Sequence, residues 1–143
     1  MRKGSTTAKR SLFPGHDIKS HVRAAYKLQK KAARQGFEWT RIKDILEKLD
    51  EEISEFKEAV EKNSQDKQEL ENELGDVLFV VANIARHYGI NPETALRKTN
   101  DKFYNRFSAL EDELKASNKQ IEDQDIQDLI DLWNKQKYKE QKA

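Results

Sequence analysis

Glu52 and Glu55 stand three residues apart, and Glu73 and Asp76 repeat that spacing. On a helix, acids at i and i+3 send two carboxylates along one face. Their surroundings correspond as well: Glu52, Ile53, Ser54, Glu55, Phe56 and Glu73, Leu74, Gly75, Asp76, Val77 both read acid, apolar, small, acid, apolar. If the two helices run antiparallel and pack by their apolar stripes, the four carboxylates converge at the edge of the core. Four such charges repel one another unless a cation neutralises them. An oxygen-only donor set selects a hard ion, magnesium, with manganese as its substitute, over zinc.

The likeness stops one turn earlier, where Lys48 stands in the place that Glu69 holds on the other helix. Lys48 and Glu52 also allow a plainer reading, an i, i+4 surface pair. Glu58 and Glu61 share the spacing of three and read as solvated. Gly75 costs about 1 kcal/mol relative to alanine inside a helix, so its presence predicts the close approach of another backbone or a ligand. Glu69, Asn83 and His87 fall on the same ridge as Glu73 and Asp76, with Val80 among them; the asparagine and histidine read as a satisfied buried amide and an exposed helix-end side chain. A second constellation has the opposite sign. Lys98, Lys102 and Arg106 recur every four residues, a like-charge row that disfavours its own helix. Carboxylates that hold a metal, together with cations for the remaining charge, are what a polyphosphate ligand requires.

These residues need helices to position them, and the chain supplies helices almost throughout. Apolar residues recur at three and four, and no stretch alternates with period two. A first helix is expected over about 17–34, stopped by Gly36. A second is capped by Thr40 and carries Ile42, Ile45, Leu46, Leu49, Ile53, Phe56 and Val60 as its stripe. After a polar turn at Asn63, Ser64 and Asp66, a third runs over about 67–88, with Leu70, Leu74, Val77, Leu78, Val81, Ile84 and Ala85 on its stripe and Gly89 at its end. Asn91 before Pro92 starts a fourth, to about 116. A fifth, over about 123–138, presents Ile126, Leu129, Ile130 and Trp133. The expected fold is all-α, a bundle of about five helices preceded by a flexible basic tail over residues 1–15, with residues 16–143 as one domain.

Composition bounds what such a bundle does. The chain has 143 residues, of which 37% are charged, against a usual figure of about 25%. Fewer apolar residues remain for a core, so a four-helix core completed by homodimerisation, or a higher homo-oligomer, is expected. The formal net charge of +1 gives no global field for nucleic acid or an anionic membrane, and stable nucleic-acid binding is not expected. No cysteine is present, which removes thiolate chemistry and fits a reducing compartment. No apolar run approaches the roughly 20 residues of a membrane span, and the basic start is not followed by an apolar segment. A cytoplasmic protein is the expectation.

The segments Lys31 to Trp39 (KAARQGFEW), Glu51 to Glu55 (EEISE), Glu73 to Phe79 (ELGDVLF), Asn83 to His87 (NIARH), Asn100 to Phe107 (NDKFYNRF) and Leu132 to Lys137 (LWNKQK) resemble the MazG nucleoside triphosphate pyrophosphohydrolases. The likeness covers about residues 22–138. It implies an all-α dimer that binds magnesium through Glu52, Glu55, Glu73 and Asp76. It also implies hydrolysis of ribo- or deoxynucleoside triphosphates between the α and β phosphates, in nucleotide-pool house-cleaning. Lys102 and Arg106 would then hold phosphates, Asn83 and Asn100 would contact substrate, and Trp133 would lie near the nucleotide. Glu51, Glu52 and Glu55 form the catalytic set, and the resemblance leaves open which ligand or neighbour orients the attacking water. Many relatives carry two such domains, and this chain has room for one. A narrower pyrophosphatase on the same scaffold, for phosphoribosyl-ATP, dUTP or dCTP, is the nearest alternative. A non-catalytic helical protein that binds nucleotide or partner helices is another.

Overall fold

A computed structural model describes residues 20–143 and places them in five α-helices with no strand among them. The basic tail expected over 1–15, and any helical turn before Ser20, lie outside the described residues. The helices are α1 (His21–Arg34), α2 (Ile42–Asn63), α3 (Lys67–His87), α4 (Pro92–Ala116) and α5 (Ile126–Lys142), with a 3-10 turn at Ile121–Asp123.

Their ends follow from local chemistry. Ser20 caps α1 by accepting from the Arg23 amide at 3.2 Å, and Asp66 caps α3 by accepting from the Glu69 amide at 3.1 Å. Helix α1 ends at Gly36 (φ +88°), with Phe37 N–H donating to the Ala32 carbonyl at 3.0 Å; α3 ends at Gly89 (φ +65°), with Ile90 N–H donating to Ala85 at 2.8 Å. Both are Schellman closures, which need a left-handed residue and so favour glycine. Asn118 (φ 54°) closes α4 in the same way. Two boundaries differ from expectation. The residue that caps α2 is Arg41, not Thr40, and Arg41 makes no side-chain capping bond, pairing instead with Asp44 at 2.9 Å. Helix α5 starts three residues late, because residues 121–123 form the 3-10 turn and Asp125 becomes the extended N-cap residue.

The chain divides into two compact units, one extending to Pro92 and the other Glu93–Ala143. In the first, α3 packs against both α2 and α1. Gln29 on α1 also donates to the Phe79 carbonyl of α3 at 2.9 Å. The seam of α2 is Ile45, Leu49, Glu52, Phe56 and Ala59, all buried or half-buried, with Ile45 fully enclosed. The corresponding seam of α3 is Glu73, Val77, Val80 and Ile84. These spacings of three and four put a glutamate in each helix where the pattern calls for an apolar side chain. The expected stripes are only half right. Leu46, Ile53 and Val60 of α2 and Leu74, Leu78 and Val81 of α3 are 36–51% exposed, whereas Val80, expected among the acids, is buried. Each helix has two apolar faces, and only one is covered by the described residues. A Cβ at Gly75 meets nothing within 4 Å, so the close approach expected there is not made by the described residues.

In the second unit α4 and α5 are tied by Glu113, which accepts from Lys135 Nζ at 2.5 Å and from Gln136 Nε2 at 2.6 Å. Hydrogen bonding to Lys135 is the main reason the Glu113 carboxyl is held below the ordinary carboxylate value. A depressed acid stabilises the fold above its unfolded value, and that contribution fades as pH falls through the folded one. Glu113→Gln should therefore flatten the acid side of a plot of melting temperature against pH; an unchanged profile would show that the tie contributes nothing.

Candidate active site

The antiparallel α2–α3 hairpin brings Glu52, Glu55 and Glu73 together, with one carboxylate oxygen from each within 4.8 Å of the others. Glu52 is buried, Glu73 half-buried and Glu55 exposed. Lys48 Nζ reaches Glu52 at 3.0 Å and Glu51 at 3.2 Å. One ammonium thus faces a group of acids, and it leaves part of them unmatched. The Oε2 atoms of both Glu52 and Glu73 are buried without a hydrogen-bond partner among the described residues. Buried carboxylate oxygens in that state are strongly unfavourable unless an opposite charge meets them.

The crowding has an electrostatic signature. The Glu55 carboxyl is raised above its ordinary value, first by hydrogen bonding with Glu52, then by the Glu52 charge, by burial, and by the charges of Glu73 and Glu51. Lys48 is raised in turn by hydrogen bonds to Glu52 and Glu51. Three clustered carboxylates with two orphaned oxygens fit a divalent cation held by oxygen donors.

The other residues singled out in the sequence are distributed as follows. Asp76 lies one turn along α3 from Glu73, is exposed, and is outside the three-carboxylate group. Glu51 is exposed beside Lys48. Asn83 is half-buried, and its Oδ1 accepts from Arg86 Nε at 2.7 Å. His87 is half-buried rather than exposed, edge-on to Tyr88 at 5.1 Å. In the second unit Lys98, Asn100 and Lys102 are exposed on α4. Arg106 is engaged by Glu140 at 2.8 Å and lies 5.7 Å from the Trp133 ring centroid, and Trp133 packs on Phe103 at 5.2 Å.

Two features were not assigned a role from sequence. One is Lys48, whose surface-pair reading is correct in its partner and incomplete in its place: it is half-buried at the rim of the carboxylates. The other is a cleft of about 530 Å³, walled by aromatic and aliphatic side chains of α1, α2, α3 and the α1–α2 connection, among them Phe37, Trp39, Ile45 and Phe79. Its polar groups are Gln29, Glu38, Lys48 and Asn83. Lys48 therefore belongs to both features, and the cleft opens beside the acids. The signal available in the sequence was Phe37-Glu38-Trp39, two aromatic residues just after a helix stop, where core packing does not explain them.

Comparison with known proteins agrees with this geometry. The family model for the MazG nucleotide pyrophosphohydrolase domain matches residues 41–110, which include all three clustered acids. The chain is 37% identical over 113 residues to the nucleoside triphosphate pyrophosphohydrolase/pyrophosphatase MazG of Thermotoga maritima, covering 79% of this chain and 42% of that one. It is 36% identical over 116 residues to a nucleoside triphosphate pyrophosphohydrolase of Escherichia coli K12, covering 81% and 44% respectively. The chain thus spans less than half the length of these curated relatives. Family match, helical architecture and acidic hairpin coincide on the same residues, and the chain belongs to the MazG family.

Proposed function

We propose that this protein hydrolyses nucleoside triphosphates at the α–β bond, releasing the monophosphate and pyrophosphate, in cytoplasmic nucleotide-pool house-cleaning. The observation that carries the reading is the carboxylate group of α2 and α3, with two buried oxygens that have no hydrogen-bond partner among the described residues, inside the matched family segment. Glu52, Glu55 and Glu73 would hold magnesium, or manganese in its place, and Asp76 on the next turn of α3 would complete the set. Bound there, the cation supplies positive charge to the phosphate oxygens and to the leaving pyrophosphate.

The protein's own groups account for the remainder. Glu51 is exposed and outside the three-carboxylate group; with one oxygen held by Lys48, its other oxygen would orient the attacking water and take its proton. As the water oxygen bonds to the α phosphorus, the bridging P–O bond breaks and its electron pair leaves with pyrophosphate. Lys102 and Arg106 are proposed, on the sequence resemblance, as the cations for phosphate charge, with Asn100 and Trp133 as further substrate contacts. Arg106 would exchange Glu140 for phosphate. The cleft suits the nucleobase. Phe37 and Trp39 are 84% and 53% exposed, and flat rings left open to water at the mouth of an apolar pocket offer stacking surface.

Phosphorus NMR on a panel of ribo- and deoxynucleoside triphosphates, with and without magnesium, tests this directly. Monophosphate and pyrophosphate should appear only with metal. Orthophosphate and diphosphate would place the attack at another bond and overturn the reading.

A further inference from the structure

The cleft ends on a polar network that the reaction does not explain. Arg86 is a charged residue in the second half of α3, with its side chain only 10% exposed. Its Nη1 donates to Glu38 Oε2 at 2.9 Å and its Nε donates to Asn83 Oδ1 at 2.7 Å. Nη2 is buried and has no partner among the described residues. Glu38 and Asn83 line the cleft, whereas Arg86 does not. A guanidinium is only a donor, so the Asn83 atom facing it must be the amide oxygen. The Asn83 amide is therefore locked in one of its two orientations, and the group left for the cleft is the NH2 donor.

We propose that Arg86 is a positioning residue for base recognition: by holding Asn83 Oδ1, it presents the Asn83 NH2 to a hydrogen-bond acceptor on the nucleobase edge. Glu38 balances the guanidinium charge and keeps it from turning away. The inference rests on the nucleotide reading above and deepens it. A fixed donor in an apolar pocket discriminates strongly, because a ring that offers a second donor leaves two N–H groups facing each other without an acceptor. Free rotation of the same amide would let it serve donor or acceptor alike and would erase that preference.

The test compares nucleoside triphosphates with ribose 5′-triphosphate, which has the phosphates and sugar but no base. For Arg86→Lys the ratio of kcat/KM on the preferred nucleotide to kcat/KM on the base-free compound should fall about tenfold, the factor one hydrogen bond commonly carries. The change should lie in KM. Asn83→Asp keeps the acceptor for Arg86 and removes the donor, so it should lower the same ratio, and being nearly isosteric it serves if Arg86→Lys fails to fold. A ratio within twofold of the parent protein's in a folded variant overturns the positioning role, because a merely structural residue lowers both substrates together. Absence of cleavage of any triphosphate by the unsubstituted protein overturns the nucleotide reading and this role with it.

Discussion

Glu73→Gln should lower turnover by about 10³-fold, the scale on which a single preorganised electrostatic group acts in an active site, while leaving the helices intact. The substitution keeps the shape of the side chain and removes its charge. Two opposed effects on stability identify the cause. Without metal the variant should melt higher than the parent, since Glu73 adds to the crowding that raises the Glu55 carboxyl, and its Oε2 is buried without a partner among the described residues. With magnesium the order should reverse. A cation at 100 times its dissociation constant stabilises the fold that binds it by about 2.7 kcal/mol, and the variant should lose most of that gain. Melting curves taken with and without magnesium read both signs. Normal turnover, or a magnesium response equal in the two proteins, would remove Glu73 from the metal site.

The helices were legible because their stop and start signals are local. Gly36, Gly89, Asp66 and the Asn91-Pro92 pair act through backbone groups within a turn of themselves, and each lies where the sequence puts it. The i, i+3 spacing of the acids was legible for the same reason, and Glu52, Glu55 and Glu73 of the two pairs come together. What the sequence hid depends on neighbours. Both α2 and α3 are apolar on two faces, and periodicity reports an apolar stripe without saying which face packs inside the chain. Val80 was thus placed beside the acids, and Leu78 in the core, while the fold does the opposite. Asp76 shows the limit of pairing by spacing. A step of three residues turns about 60° short of a full circle, so with Glu73 in the seam Asp76 swings toward solvent. The cleft was invisible because its walls come from three helices and the α1–α2 connection, and its polar end, Glu38 and Asn83, is fixed by Arg86 behind it, 48 positions from Glu38.

Leu78→Glu should separate a homodimer into monomers. Leu46, Ile53 and Val60 recur every seven residues on α2, and Leu74, Leu78 and Val81 every three or four on α3; all six are at least 36% exposed. Against them the described chain buries only seven apolar residues. A full aliphatic side chain contributes about 1.5–3 kcal/mol on burial, so half-burying six more per protomer adds roughly 5–9 kcal/mol before ordering costs. A second copy would present the same two faces, and a two-fold axis would match them to each other as a four-helix core. Gly75, with open space at its Cβ, lies between Leu74 and Asp76 and would give a second copy room to approach. Light scattering at micromolar concentration should then give about twice the 16.7 kDa chain mass for the parent and the chain mass for Leu78→Glu, since a buried unpaired carboxylate is not tolerated at such a centre. Activity should fall with assembly, because Glu55 and Asp76 adjoin this face and lose its support. A parent protein that is monomeric and active would mean that α2 and α3 keep their second faces open, and that the carboxylate group functions without a second copy.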